Sequence, residues 1–415
     1  MSKEFVILDG AFKIEDGKYY LDGYTEGIEI PKNITSIDIP DSVMVIGDFA
    51  FEGCSSLLKV NIPNSVIKIG WSAFSECSSL KKISIPDSVT EIDDWAFYDC
   101  SSLLKINIPN TVTEIGDDAF FYCFSLTSVN IPDSVTEIGG GTFAECSSLR
   151  EINIPGSVML IGHMAFSGCS SLKEISVPDS VTRIGGAAFS GCSSLTKINI
   201  PNSVTEIEER TFCGCSSLTQ INIPNSVTKI EKNAFRGCPS LTEINVDSRN
   251  QVFHDEDGVL FEKDILHTFP LGKDTHTYTI PDSVTEIGEE AFSDCSSLTK
   301  VEIPDSVTKI GDRAFYRCYS LTESKIPESV TEIGEETFSH CSSLTKIEIP
   351  DSVKKIGDEA FYACSSLTEI KIPKSVTEIK WGVFDECSKL KRVYAPKYLE
   401  LDHTCLSSEV EIIRY

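Results

Sequence analysis

The sequence predicts a repeat solenoid, mostly β, in which short strands stack rung upon rung into a parallel sheet. Two observations predict it. A 23-residue unit recurs fourteen times through the 415-residue chain. The apolar residues within each unit are spaced as in strands rather than helices. No unit of this size can bury its apolar face alone, so the units must stack, each covering the next.

Residues 280–302 state the unit plainly: Ile-Pro-Asp-Ser-Val-Thr-Glu-Ile-Gly-Glu-Glu-Ala-Phe-Ser-Asp-Cys-Ser-Ser-Leu-Thr-Lys-Val-Glu. Near-copies begin every 23 residues from Ile39 to Ile223 and again from Ile280 to Ile372. The one irregular step, 57 residues, leaves room for an insert of 34. Each unit contains Leu-x-x-Ile-x-Ile-Pro, as at 195–201, whose apolar residues point one way while the others point outward. Proline ends this strand because it has no N–H to donate. Ser-Val-x-x-Ile-Gly follows as a second extended piece with Val and Ile inward. The stretch x-x-Ala-Phe-x-x-Cys is too short for a full helix and is expected to make one helical or 3-10 turn. Fourteen rungs at ~4.8 Å give a sheet on the order of 65 Å long. The phenylalanine column, from Phe51, Phe74 and Phe97 to Phe384, should run unbroken through the core.

This reading places repeats at 39–245 and 280–394, a β-hairpin insert at 246–279, and caps at 1–38 and 395–415. Asp9-Gly10, Asp16-Gly17 and Asp22-Gly23 punctuate the first cap as tight turns of a small meander. At the other end, residues 410–415 can add a last short strand. Covered ends deny other chains an open edge, so a monomer is expected.

Composition narrows the partners. A net charge of −27 argues against nucleic acid or an anionic membrane, since both need a basic surface. No stretch approaches ~18 uninterrupted apolar residues, so no membrane insertion is expected. The opening Met-Ser-Lys-Glu-Phe-Val-Ile-Leu-Asp-Gly lacks the basic segment and long apolar run of a secretory signal. The sequence as it stands therefore reads as cytoplasmic, unless an export signal has been removed.

Fourteen of the sixteen cysteines occupy one repeat position, from Cys54 to Cys387. Parallel side chains in such a column are poorly placed for the ~90° twist of a disulfide. A metal needs converging ligands, which a linear column does not supply. A small buried hydrophobe with a weak donor fits the position. Cys213 and Cys405 fall outside the column and are the expected reactive thiols. His254, His267 and His276 lie in or beside the insert near Asp255, Glu256 and Asp257, at no metal-binding spacing; they are expected at exposed hairpin positions. No catalytic triad spacing, phosphate-binding glycine loop or calcium-binding nonapeptide is present, and no cofactor is expected.

The outward strand positions differ between the two blocks of repeats. One column reads Asn61, Ser84, Asn107, Asn130, Asn153, Ser176, Asn199, Asn222 and Asn245, all neutral. In the second block it becomes Glu302, Lys325, Glu348 and Lys371, beside Lys300, Glu323, Lys346 and Glu369. This checkerboard avoids stacking like charges and helps fix register. Trp71, Trp95, Tyr98, Phe121, Tyr122 and Phe124 replace small or polar residues in three consecutive repeats. Adjacent rungs should gather them into one patch, with at least four substantially exposed. Exposed aromatic clusters are favoured interface anchors; the plainer alternative is packing over the repeat edge.

The string Ile-Pro-Asp-Ser-Val-Thr-Glu-Ile-Gly-x-x-Ala-Phe-x-x-Cys-Ser-Ser-Leu resembles the BspA-like, or Treponema pallidum-type, leucine-rich repeat family over about residues 39–396. Residues 257–261 through 268–270 look like the hairpin variant found between such repeats. The resemblance implies a right-handed leucine-rich-repeat superhelix, a horseshoe with its parallel sheet on the concave face. It implies short helical, 3-10 or extended segments on the convex side. It also implies adhesion or protein–protein contact, with many members at the cell surface, and no catalytic residues. The function expected is that of a non-enzymatic interaction protein for a protein or glycan ligand; the alternative is a coat element without a specific ligand.

Overall fold

The structure of the protein is a computed structural model, which describes residues 4–6, 11–21, 27–401, 406 and 410–415. The chain forms two compact units, Met1–Cys238 and Pro239–Tyr415. Each is a β-solenoid.

A rung contributes two short strands. In the first unit Lys59–Asn61 is a first-column strand and Lys68–Ile69 a second-column strand. Strands of a column pair in parallel and in register: Ile106 of Lys105–Asn107 lies opposite Ile83 on one side and Val129 on the other. Between the columns each Pro-x-Ser-Val segment turns on a bond from the Val amide to the Pro carbonyl, as in Val66 to Pro63 at 3.2 Å. The recurring serine has a definite task here. Ser65, Ser88 and Ser157 each donate to the valine carbonyl of the preceding rung at 2.6 Å. Glycine after the second strand answers to close approach: a Cβ on Gly162 would stand 2.6 Å from the Gly140 amide of the neighbouring rung.

The short helical or 3-10 turn expected around Phe and Cys does not form, and the described residues contain no helix. A helix would spend these amides within the rung. Here alternate amides cross to the next rung instead: Phe49 to Trp71 at 2.8 Å, Phe51 to Ala73 at 2.7 Å and Gly53 to Ser75 at 2.8 Å. Alternation requires left-handed residues on both sides of the phenylalanine. They are Trp95 (φ 61°) and Asp99 (φ 49°) around Phe97, and Asp118 (φ 53°) and Tyr122 (φ 61°) around Phe120.

The phenylalanines form a stack in each unit. From Phe51 to Phe235 neighbouring rings lie 5.1–6.0 Å apart and nearly parallel. In the second unit the stack runs from Phe292 to Phe384, and Phe269 of the insert extends it at 5.2 Å from Phe292. The insert thus completes a rung as well as forming a hairpin. Phe253–Glu256, Val259–Glu262 and Ile265–Thr268 make an antiparallel meander whose last strand joins the second column beside Glu286–Ile287. Thr277–Thr279 then opens the first column of that unit, beside Lys300–Glu302. The Asp257-Gly258 turn has both residues left-handed, at φ 50° and 74°, as a tight hairpin needs.

At the start of the chain Glu4–Val6 pairs in parallel with Ser36–Asp38. Ala11–Glu15 and Lys18–Leu21 form a hairpin through Asp16-Gly17. The turns expected at Asp9-Gly10 and Asp22-Gly23 lie outside the described residues. At the far end Glu411–Arg414 adds a strand to Arg392–Ala395.

Candidate partner-binding surface

The six aromatics singled out in the sequence meet as one chain of rings. Trp71 stands 6.4 Å from Trp95, which stacks on Tyr98 at 4.8 Å. Tyr98 reaches Phe121 and Tyr122, each at 5.7 Å; Tyr122 touches Phe121 at 4.3 Å and Phe124 at 5.3 Å. A seventh ring, Phe49, closes the near end 4.5 Å from Trp71. Three of the six are exposed, Trp71 at 38%, Trp95 at 39% and Phe124 at 41%. Tyr98, Phe121 and Tyr122 are half-buried, so the expectation of at least four exposed rings is corrected to three. The half-buried rings lean on their neighbours along the ridge rather than entering the core, which the phenylalanine stack already fills. Burial pushes the Tyr98 phenol up, with Tyr122 adding to it. Burial also raises the Asp118 carboxyl, helped by Asp117 and Asp94.

Backbone geometry adds a second observation. Phe49, Trp95 and Tyr122 sit at left-handed positions, where bulky residues are disfavoured by roughly 1–2 kcal/mol each. Elsewhere the left-handed positions of these turns carry residues from Gly141, Ala187 and Asn233 to Met164, Arg210 and Arg313.

The cysteine column is a hydrogen-bond ladder. The thiols from Cys77 to Cys238 and from Cys318 to Cys387 each point at the carbonyl of the phenylalanine 26 residues earlier, as Cys100 does to Phe74 at 3.2 Å and Cys192 to Phe166 at 3.2 Å. Burial drives these thiols well above their ordinary range. None of the described cysteines forms a disulfide, and Cys213 is the half-buried exception to the ladder. Cys405 lies outside the described residues.

The family model described as BspA type Leucine rich repeat region (6 copies) matches residues 30–150, 136–257 and 268–400. The chain belongs to this family. It is similar to the crystal structure of a leucine rich cell surface protein from Faecalibacterium prausnitzii. The two are 35% identical over 75% of this chain and 87% of that one, with a TM-score of 0.66. It is similar also to a leucine-rich repeat protein from Bacteroides ovatus, 30% identical over 97% of this chain and 92% of that one, with a TM-score of 0.56. No curated protein matches the chain.

In this BspA-type solenoid several of the alternating charges of the second unit form ion pairs. Lys300 meets Glu302 at 3.1 Å and Lys346 meets Glu348 at 2.7 Å along their strands. In the second column Lys309 reaches Glu286 and Lys355 reaches Glu332 across rungs, each at 2.6 Å. The insert histidines stand apart. His254 stacks on Phe261, His267 packs its edge on Phe253, and His276 contacts the Ser297 carbonyl. His267 is half-buried instead of exposed. Among the described residues no group of His, Cys, Asp and Glu converges as a metal site, and no helix is long and apolar enough to cross a membrane.

The sequence reading missed Phe49 and Trp381, the latter 61% exposed. Phe49 shares the repeat position of Trp95, and Trp381 that of Trp71, so following those two columns through every rung would have found them.

Proposed function

We propose that this BspA-type chain is a non-enzymatic interaction protein that takes a protein or glycan ligand on the aromatic ridge running from Trp71 to Phe124. The observation that supports this reading is the ridge's continuity across three rungs. It includes exposed indoles, and two of its rings stand at backbone positions that disfavour them. Rings left in water gain little for folding but much on binding, and a few such anchors usually carry most of an interface. The self-paired charges of the second unit are a poorer target, because a partner must first strip each from its neighbour. A coat element without a ligand would look alike in every rung, which this ridge does not. Likeness to a cell surface protein supports display at a cell surface.

The test compares the intact chain with a Trp71→Ala, Trp95→Ala, Phe121→Ala variant. Both are immobilised and exposed to a panel of extracellular-matrix proteins and mucin glycans. The variant should keep its buried thiols protected, as the fold requires, and lose at least about tenfold in affinity for whatever the intact chain retains. Equal retention by both proteins would remove the ridge from consideration.

A further inference from the structure

In the first unit the outward positions of the first strand column break the rule that the second unit obeys. Lys59, Lys82 and Lys105 occupy the same register position in three consecutive rungs, and Lys82 lies directly opposite Lys105. The equivalent row of the second unit alternates as Lys300, Glu323, Lys346 and Glu369. Like charges opposite one another across a ladder are destabilising. The chain has 63 acidic residues to place beside these lysines. Yet none of the three makes an ion pair among the described residues. The three ammonium groups form a basic row on an otherwise acidic protein.

Next to the lysines runs the neutral row. Asn61, at one end, donates to Asp38, and Asn199, further along, donates to the Val177 carbonyl. The side-chain amides of Asn107, Asn130 and Asn153, exposed between them, have no partner among the described residues. Lys82 and Lys105 of the one row and Asn107, Asn130 and Asn153 of the other line, with Glu151, a groove of about 700 Å³ over strands Lys82–Ser84, Lys105–Asn107, Ser128–Asn130 and Glu151–Asn153. Between the rows Ile83, Ile106 and Val129 point inward and are buried.

We infer that this groove binds an anionic polysaccharide, lying along the solenoid with its acidic groups on the lysine row and its hydroxyls on the asparagine row. An amide both donates and accepts, which is what a sugar hydroxyl demands. Rows repeating every ~4.8 Å suit a linear polymer with a regular repeat. Glu151, at the lysine position of a later rung, sets the limit of the anion-binding stretch. This inference uses residues separate from the aromatic ridge and does not rest on it.

Fluorescence anisotropy of a labelled heparin-derived octasaccharide, added to the full chain at about physiological salt, tests it. The octasaccharide should bind, and its affinity should fall as salt rises. Lys82→Ser with Lys105→Ser should weaken binding about tenfold and flatten that salt dependence. Asn107→Ala with Asn130→Ala should weaken it while leaving the salt dependence in place. The Trp71→Ala, Trp95→Ala, Phe121→Ala variant should bind as the intact chain does, which separates this site from the ridge. Protection of the buried thiols checks that each variant is folded. Failure of the octasaccharide to bind would overturn the inference, as would unchanged binding by the lysine variant. Equal binding of neutral maltooctaose, or tighter binding of a deca-aspartate peptide, would overturn it too.

Discussion

A ladder cysteine does two jobs at one position: it fills a small site in the core, and its thiol is a second donor to a phenylalanine carbonyl that already accepts the cysteine amide of its own rung. The column in the sequence identified the first job, since a linear row of thiols suits neither disulfides nor a metal. The second needed the structure, because the acceptor lies 26 residues away on another rung. Burial raises these thiols, with Cys238 and Cys387 pushed up to about 12. A thiol whose pKa is higher when folded holds its proton more tightly in the folded state. The stability it contributes is therefore intact below the unfolded thiol's range near pH ~8.5 and falls as pH climbs towards ~12. Urea unfolding between those limits should show stability dropping by roughly 1.4 kcal/mol per pH unit for each ladder thiol that titrates. A Cys238→Ala, Cys387→Ala variant should show a shallower drop. An identical slope in that variant would mean the alkaline loss comes from other groups.

Among the elements, the strands were legible and the turn was not. Leu-x-x-Ile-x-Ile-Pro has the period of a strand, and the buried positions follow it. Ala-Phe-x-x-Cys has no period of its own, and a helical turn was a fair reading of five residues. What decides the turn is where its amides go, and they go to the next rung through paired left-handed residues. No glycine marks most of those positions, so nothing local announces them. The phenylalanine at the centre should carry much of the cohesion between rungs. Phe189 is fully buried between Phe166 at 5.6 Å and Phe212 at 5.9 Å. Phe189→Ala should cost roughly 3–5 kcal/mol in chemical denaturation, because the rungs on both sides limit collapse of the cavity. A loss under ~1 kcal/mol would show that the rungs close up around it. The charged columns contribute on a smaller scale. Lys325 lies opposite Glu348, and Lys325→Glu puts three acids in a row with Glu302. The expected loss is on the order of 0.5–1 kcal/mol at low salt and shrinks as salt is added. A loss that salt does not change would assign the effect to packing.

For the whole molecule, the period of 23 carried the fold class without any structural input, and the aromatic ridge was legible as a departure from that period. The insert was read less completely. Its Asp257-Gly258 turn announced a hairpin, but Phe269 completing the phenylalanine stack could not be seen in a segment that lacks the repeat's spacing. That completion has a consequence for autonomy. A solenoid fragment folds only if its terminal rungs are covered. In the unit Pro239–Tyr415 the meander buries Val259, Phe261 and Leu266 in the same apolar cluster as Phe292 and Phe315. At its other end Glu411–Arg414 pairs with Arg392–Ala395, giving the last rung a closing strand. Expressed alone, this fragment should therefore fold and unfold in a single cooperative transition. Of its six cysteines, Cys295, Cys318, Cys341, Cys364 and Cys387 should stay unreactive towards a thiol reagent until denaturant is added. If all of them react at once in native buffer, the meander and the terminal strand are not sufficient caps, and the fold of this unit depends on the residues before Pro239.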